Sequence, residues 1–142
     1  MKRLLLIMSI LFFLFGCTAN KTKINQITQE EAYHKMKKEN VIILDVRTSE
    51  EYQSGYIKNA ININVDDLEK LAEKQIPDKN KTILVYCRSG NRSKRAAIIL
   101  MNLGYKNVYD FGGINTWTYG IENYKGDWTV LFNPFMALKI IK

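Results

Sequence analysis

The chain has 142 residues, 21 Lys and Arg against 14 Asp and Glu for a formal charge of +7, and 46% hydrophobic residues. That balance describes one compact domain, large enough to bury roughly two-thirds of its unfolded surface, and excludes a disordered or fibrous chain. Two cysteines, one histidine and two prolines exclude a disulfide scaffold, the usual His/Cys zinc site and a Pro-rich linker, so neither a metal nor another cofactor is expected.

At the amino terminus, Met1-Lys2-Arg3 precedes an apolar run over residues 4–15 in which only Ser9 is polar, and Gly16-Cys17 follows. A charged start, a short apolar run and a small residue before a cleavage point make residues 1–16 an expected export signal. The run is shorter than the roughly 20 residues of a membrane-spanning helix. Leu14-Phe15-Gly16-Cys17 resembles a bacterial lipobox, with Phe15 bulkier than usual at its position. The resemblance implies that Cys17 becomes the first mature residue and carries a diacylglycerol on its sulfur; an ordinary signal peptide is the alternative. Several acyl chains, at roughly 0.8 kcal/mol per buried methylene, would hold the protein on a membrane of the bacterial envelope. Residues 17–23 are then the lipidated cysteine and a tether, and the six residues after Cys17 reach at most about 20 Å.

The spacing next predicts an extended piece over 24–27 and a helix to about Glu39, opened by the capping box Thr28-Gln29-Glu30-Glu31. Residues 41–45 form a continuous, largely β-branched apolar run that predicts a buried strand. A second capping box, Thr48-Ser49-Glu50-Glu51, begins a short helix that Gly55 ends. A brief strand over 60–64, a helix over 66–75 with Leu68 and Leu71 on one face, and Pro77 follow. Residues 82–86 predict the second buried strand, and 93–103 a helix turning Ala96, Ala97, Ile99, Leu100 and Leu103 to the core. Gly104 stands where a left-handed cap belongs. A strand over 108–111 and a short helix near 115–119 complete the series. Strands alternating with helices predict an α/β domain of three layers, a mainly parallel five-stranded sheet with helices on both faces.

In such sheets, sites form beyond the carboxyl ends of the strands. The strand over 82–86 delivers Cys87-Arg88-Ser89-Gly90-Asn91-Arg92 there, and Ser93 opens the next helix. A loop wrapped over a helix N-terminus aims backbone N–H groups at its centre, and the helix dipole adds positive charge. A thiol placed there beside arginine becomes more acidic, so Cys87 is the expected nucleophile without a histidine partner. His34, the single histidine, belongs to the first helix. The plainer readings are a buried, inert Cys87 and two solvated arginines; the arginines' bracketing of a cysteine and a glycine favours anion recognition.

Three segments then carry a resemblance. They are Leu44-Asp45-Val46-Arg47-Thr48 through Glu51-Tyr52 and Gly55-Tyr56-Ile57-Lys58-Asn59-Ala60; Tyr86-Cys87-Arg88-Ser89-Gly90-Asn91-Arg92-Ser93; and Phe111-Gly112-Gly113-Ile114 with Trp117. Over residues 24–121 the chain resembles the single-domain rhodaneses, a sulfurtransferase family, with Tyr56 standing where that family commonly has histidine. The resemblance implies a rhodanese-like fold and a Cys87 that accepts a sulfane sulfur as a persulfide and hands it to cyanide or a thiol. The amides from Arg88 to Ser93 would hold the charged outer sulfur. Arg88 and Arg92 would position a small anionic donor such as thiosulfate. Asp45, Arg47 and Glu51 are expected to brace the pocket from the neighbouring strand end, with Arg47 and Glu51 paired.

Two competing readings are weighed. A cysteine phosphatase needs five residues between its cysteine and arginine, whereas four separate Cys87 from Arg92. A membrane-tethered module that binds or senses redox state, without turnover, is the non-enzymatic alternative. An exported, unpartnered thiol meets oxidising conditions, which leaves room for a redox protein partner. Loss of Lys2 and Arg3 lowers the charge from +7 to +5, carried mostly by scattered lysines. That pattern excludes a nucleic-acid stripe and suits a solvated face or anionic lipid. Residues 122–142 form a carboxy-terminal extension beyond the resemblance, whose ending over 130–142 is expected either to pack on the domain or to rest on the membrane.

Overall fold

The computed structural model describes residues 23–123. The leader, Cys17, most of the tether, and residues 124–142 of the extension lie outside them. Among the described residues no helix is long and apolar enough to cross a membrane.

In chain order the elements are β1 (Asn25–Gln26), α1 (Gln29–Lys38), β2 (Ile42–Asp45), α2 (Ser49–Gln53), β3 (Ala60–Asn62), α3 (Leu68–Gln75), β4 (Thr82–Cys87), α4 (Asn91–Asn102), β5 (Asn107–Gly113) and a 3₁₀ turn (Ile114–Thr116). The strands form one sheet in the order β1-β5-β4-β2-β3, with every neighbouring pair parallel. A parallel sheet covered on both sides needs apolar residues at successive positions, which β2 and β4 supply. Alternate side chains go to opposite faces. From β4, Ile83, Val85 and Cys87 enter one core with Leu44, Leu68 and Leu100, while Leu84 and Tyr86 enter the other with Ala32, Ile57 and Phe111. This is the expected three-layer architecture.

Both capping boxes form. Thr28 and Thr48 each accept the backbone N–H of the glutamate three residues on, and Glu31 and Glu51 reach back to the threonine N–H. Gly104 takes φ of +91° after α4, the conformation expected of it. Several boundaries differ from the sequence reading. The strand expected over 60–64 stops at Asn62, because Asn64 turns the chain by accepting the Asp66 and Asp67 N–H groups. Helix α4 starts at Asn91, two residues before Ser93, since Gly90 at φ +100° reverses the backbone directly after the loop. The helix expected near 115–119 is a single 3₁₀ turn, ended by an extended Trp117.

Candidate active site

Strand β4 is central in the sheet, and its last residue, Cys87, is placed by register opposite Gly113 of β5. Between Val85 and Cys87 the register slips against β5, which swings that strand beneath the loop. Gly113 explains why glycine stands there. A Cβ on it would lie 2.6 Å from Ser89 Cα and closer still to the Arg88 carbonyl oxygen. The Asn115 N–H donates to that carbonyl at 3.2 Å, tying the 3₁₀ turn to the loop.

Cys87 itself is 1% exposed, at the floor of a loop whose Arg88, Ser89 and Asn91 are open to solvent. The Gly90 N–H donates to its Sγ at 3.1 Å, and the Ser93 hydroxyl lies 3.8 Å from the sulfur while donating to the Gly90 carbonyl at 3.0 Å. Burial pushes the Cys87 thiol up, but the N–H groups of Ser93, Gly90 and Ser89 and the Ser93 hydroxyl outweigh it. The thiol therefore sits below its ordinary value. This is the behaviour of a sulfur held in an anion cradle at a helix N-terminus.

The structure redistributes the expected charge pairs. Arg47 does not meet Glu51 in an ion pair. Buried, it donates to Asp45 through Nε at 2.9 Å and Nη2 at 2.6 Å, and Nη2 also reaches the Gly55 carbonyl at 2.7 Å. Arg47 follows a buried carboxylate by two residues, so its guanidinium turns inward to the nearest opposite charge. Glu51 instead forms a two-pronged pair with Arg92, at 2.6 and 2.8 Å, and that guanidinium holds the Glu51 carboxyl at about 2 against the effect of burial. Arg92, expected to position an anion, turns two nitrogens to Glu51 and also lies within hydrogen-bonding reach of Cys87. Arg88 is exposed and pairs with no carboxylate among the described residues. The Glu51–Arg92 pair and the close approach at Gly113 were missed by sequence reasoning. A glutamate in a first helical turn reads as a cap, and nothing in its spacing reveals a partner 41 residues away.

His34 stands on α1, largely exposed, with Glu30 3.9 Å away. Tyr56 stacks on Tyr52 with ring centroids 4.4 Å apart, so the departure from histidine is taken up in packing. Trp117 packs on Phe111 at 5.6 Å in the α1-side core and donates its indole N–H to the Gly120 carbonyl.

A free thiol at the end of a parallel strand, held by amides of the loop and of the first turn of the next helix, is an arrangement suited to a cysteine nucleophile. Residues 28–119 match the model of the rhodanese-like domain. Over 93 residues the chain is 39% identical to the thiosulfate sulfurtransferase GlpE of Coxiella burnetii, covering 65% of this chain and 85% of that one. It is likewise 39% identical over 71 residues to the thiosulfate sulfurtransferase PspE of Escherichia coli K12, covering 50% and 68%. Among solved structures, a rhodanese with anions from E. coli superposes with a TM-score of 0.55 at 34% identity, over 58% of this chain and 96% of that one. A rhodanese-related protein from Thermoplasma volcanium does so with 0.60 at 33%, over 69% and 97%. The chain belongs to the rhodanese family.

Proposed function

We propose that the protein takes a sulfane sulfur from a small anionic donor onto Cys87 and passes it to a thiol or to cyanide. The activity is that of a rhodanese-type sulfurtransferase working through a cysteine persulfide. The observation that carries the reading is the Gly90 N–H at 3.1 Å from Sγ, with the thiol held below its ordinary value. The Cys87 thiolate attacks the outer sulfur of thiosulfate, a new S–S bond forms, and the donor's S–S bond breaks with its electron pair leaving on sulfite. An acceptor thiolate or cyanide then attacks the outer sulfur of the persulfide, and the Cys87 thiolate departs. The two relatives named as thiosulfate sulfurtransferases support thiosulfate as donor. In this reading the cradle's amides, which meet Sγ in the free thiol, stabilise the outer sulfur's negative charge, and Arg88 meets the donor anion.

The domain spans residues 24–121 in this reading, and residues 1–16 export it. Cys17 carries the lipid that tethers it through residue 23 to an envelope membrane, and the extension 122–142 follows the domain in sequence. The charged start, the apolar run and Gly16-Cys17 support this part. A dedicated thiol protein would keep Cys87 reduced there.

Production of thiocyanate from thiosulfate and cyanide by the full chain, and its loss in Cys87→Ala, is the expected result. Absence of turnover, with no gain of one sulfur atom on Cys87 by mass spectrometry, would leave a binding module. Intact-mass analysis of protein from the membrane fraction reads the lipid on Cys17 separately.

A further inference from the structure

The loop's two arginines stand in different electrostatic settings. Arg88 is exposed and meets no carboxylate among the described residues. Arg92, in the first turn of α4, is closed onto both oxygens of Glu51, and about a third of each side chain is exposed. Glu51 is set in place independently: the Thr48 N–H donates to its Oε2 at 3.1 Å, fixing the carboxylate within the first turn of α2. Two elements that are not neighbours in sequence thus bring a matched pair of charges to the residue next to Ser93, whose N–H faces the sulfur.

Apart from the exposed Lys94, the other charges named beside the cradle are bonded elsewhere. On the β2 side Asp45 and Arg47 hold each other. On the β5 side Asp110 accepts from Gln26 and from the Gly112 N–H. On α4 Arg95 reaches Asp66, and Lys94 is exposed. The Cys87 charge is felt at Arg92. A bare guanidinium there would acidify the thiol further, and thiolate nucleophilicity falls as thiol acidity rises.

We propose that Glu51 is a positioning residue whose carboxylate cancels the Arg92 charge at the Cys87 sulfur. The thiolate is thereby kept basic enough to attack a donor, and Arg88 is left as the loop cation that the donor anion meets. This deepens the sulfur-transfer reading and rests on it.

The test follows the pH dependence of iodoacetamide alkylation of Cys87 in the full chain, resolved by mass spectrometry of its peptide. It needs no sulfur donor, so it stands or fails separately from the thiosulfate-to-cyanide assay. Glu51→Gln should lower the alkylation midpoint by about one unit, Arg92→Gln should raise it by a similar amount, and the double substitution should return it close to the unaltered value. Glu51→Asp, which keeps the charge, should retain the midpoint and serves if the glutamine variants do not fold. A purely structural tie between α2 and the loop predicts lower melting temperatures with unmoved midpoints. Unmoved midpoints, shifts of one sign in both single variants, or a displaced Glu51→Asp midpoint would overturn the proposal.

Discussion

At Gly113 a single hydrogen in place of a methyl group decides whether β5 can pass beneath the loop. Gly113→Ala drives a carbon into backbone atoms of Arg88 and Ser89, which have no side-chain rotamer to yield. Transfer should fall about 100-fold, the scale of an ångström's misplacement, and thiocyanate release under saturating donor reads it. Arg88→Gln removes an exposed charge that pairs with no carboxylate among the described residues. It should raise KM for thiosulfate roughly tenfold, the worth of one charge-assisted hydrogen bond, with kcat and melting temperature little changed. The cradle's N–H groups hold the Cys87 thiol below its ordinary value, so its alkylation midpoint should rise when Ser93→Ala removes the hydroxyl beside the sulfur. Glu51 is shifted the same way, by its pairing with Arg92. Its carboxyl falls from the ordinary 4.5 to about 2, so its pair stabilises the fold above about 4.5 and loses that contribution as pH falls toward about 2. Acid unfolding of Glu51→Gln should lack that component of the pH dependence.

At the scale of elements, the amino end of α2 does two jobs with one motif. Thr48 caps the helix, and Glu51 closes the box while meeting Arg92. Thr48→Ala should cost about 1 kcal/mol, a fall of about 4–8 °C in melting temperature for a domain near 100 residues, read by circular dichroism. Such caps were legible in the sequence because their partners lie three residues apart, within one helical turn. Strands β2 and β4 were legible for a similar reason: burial on both faces leaves an unbroken apolar run. The start of α4 was read two residues late, since Gly90 was read inside a loop running to Arg92 when it caps the helix that begins at Asn91. The strand at 25–26 was placed as an extended piece; its pairing with β5 depends on residues more than 80 positions away. The position of Cys87 followed from strand and helix patterns, whereas the partners of Arg47, Glu51 and Arg92 are choices made by tertiary packing among several nearby opposite charges.

Across the whole molecule, the sheet separates two cores and the buried Asp45–Arg47 pair fastens the carboxyl end of β2 to Gly55. Asp45→Ala strands a guanidinium that is 5% exposed and should destabilise the protein by about 3–5 kcal/mol, measured as a lowered urea midpoint. Arg95→Ala, breaking a largely exposed pair with Asp66, should change stability by less than about 1 kcal/mol. The same sheet brings Cys87 to a stop one per cent exposed. In the proposed cycle a donor meets this buried sulfur, whereas an acceptor meets a second sulfur about 2 Å away along the S–S bond.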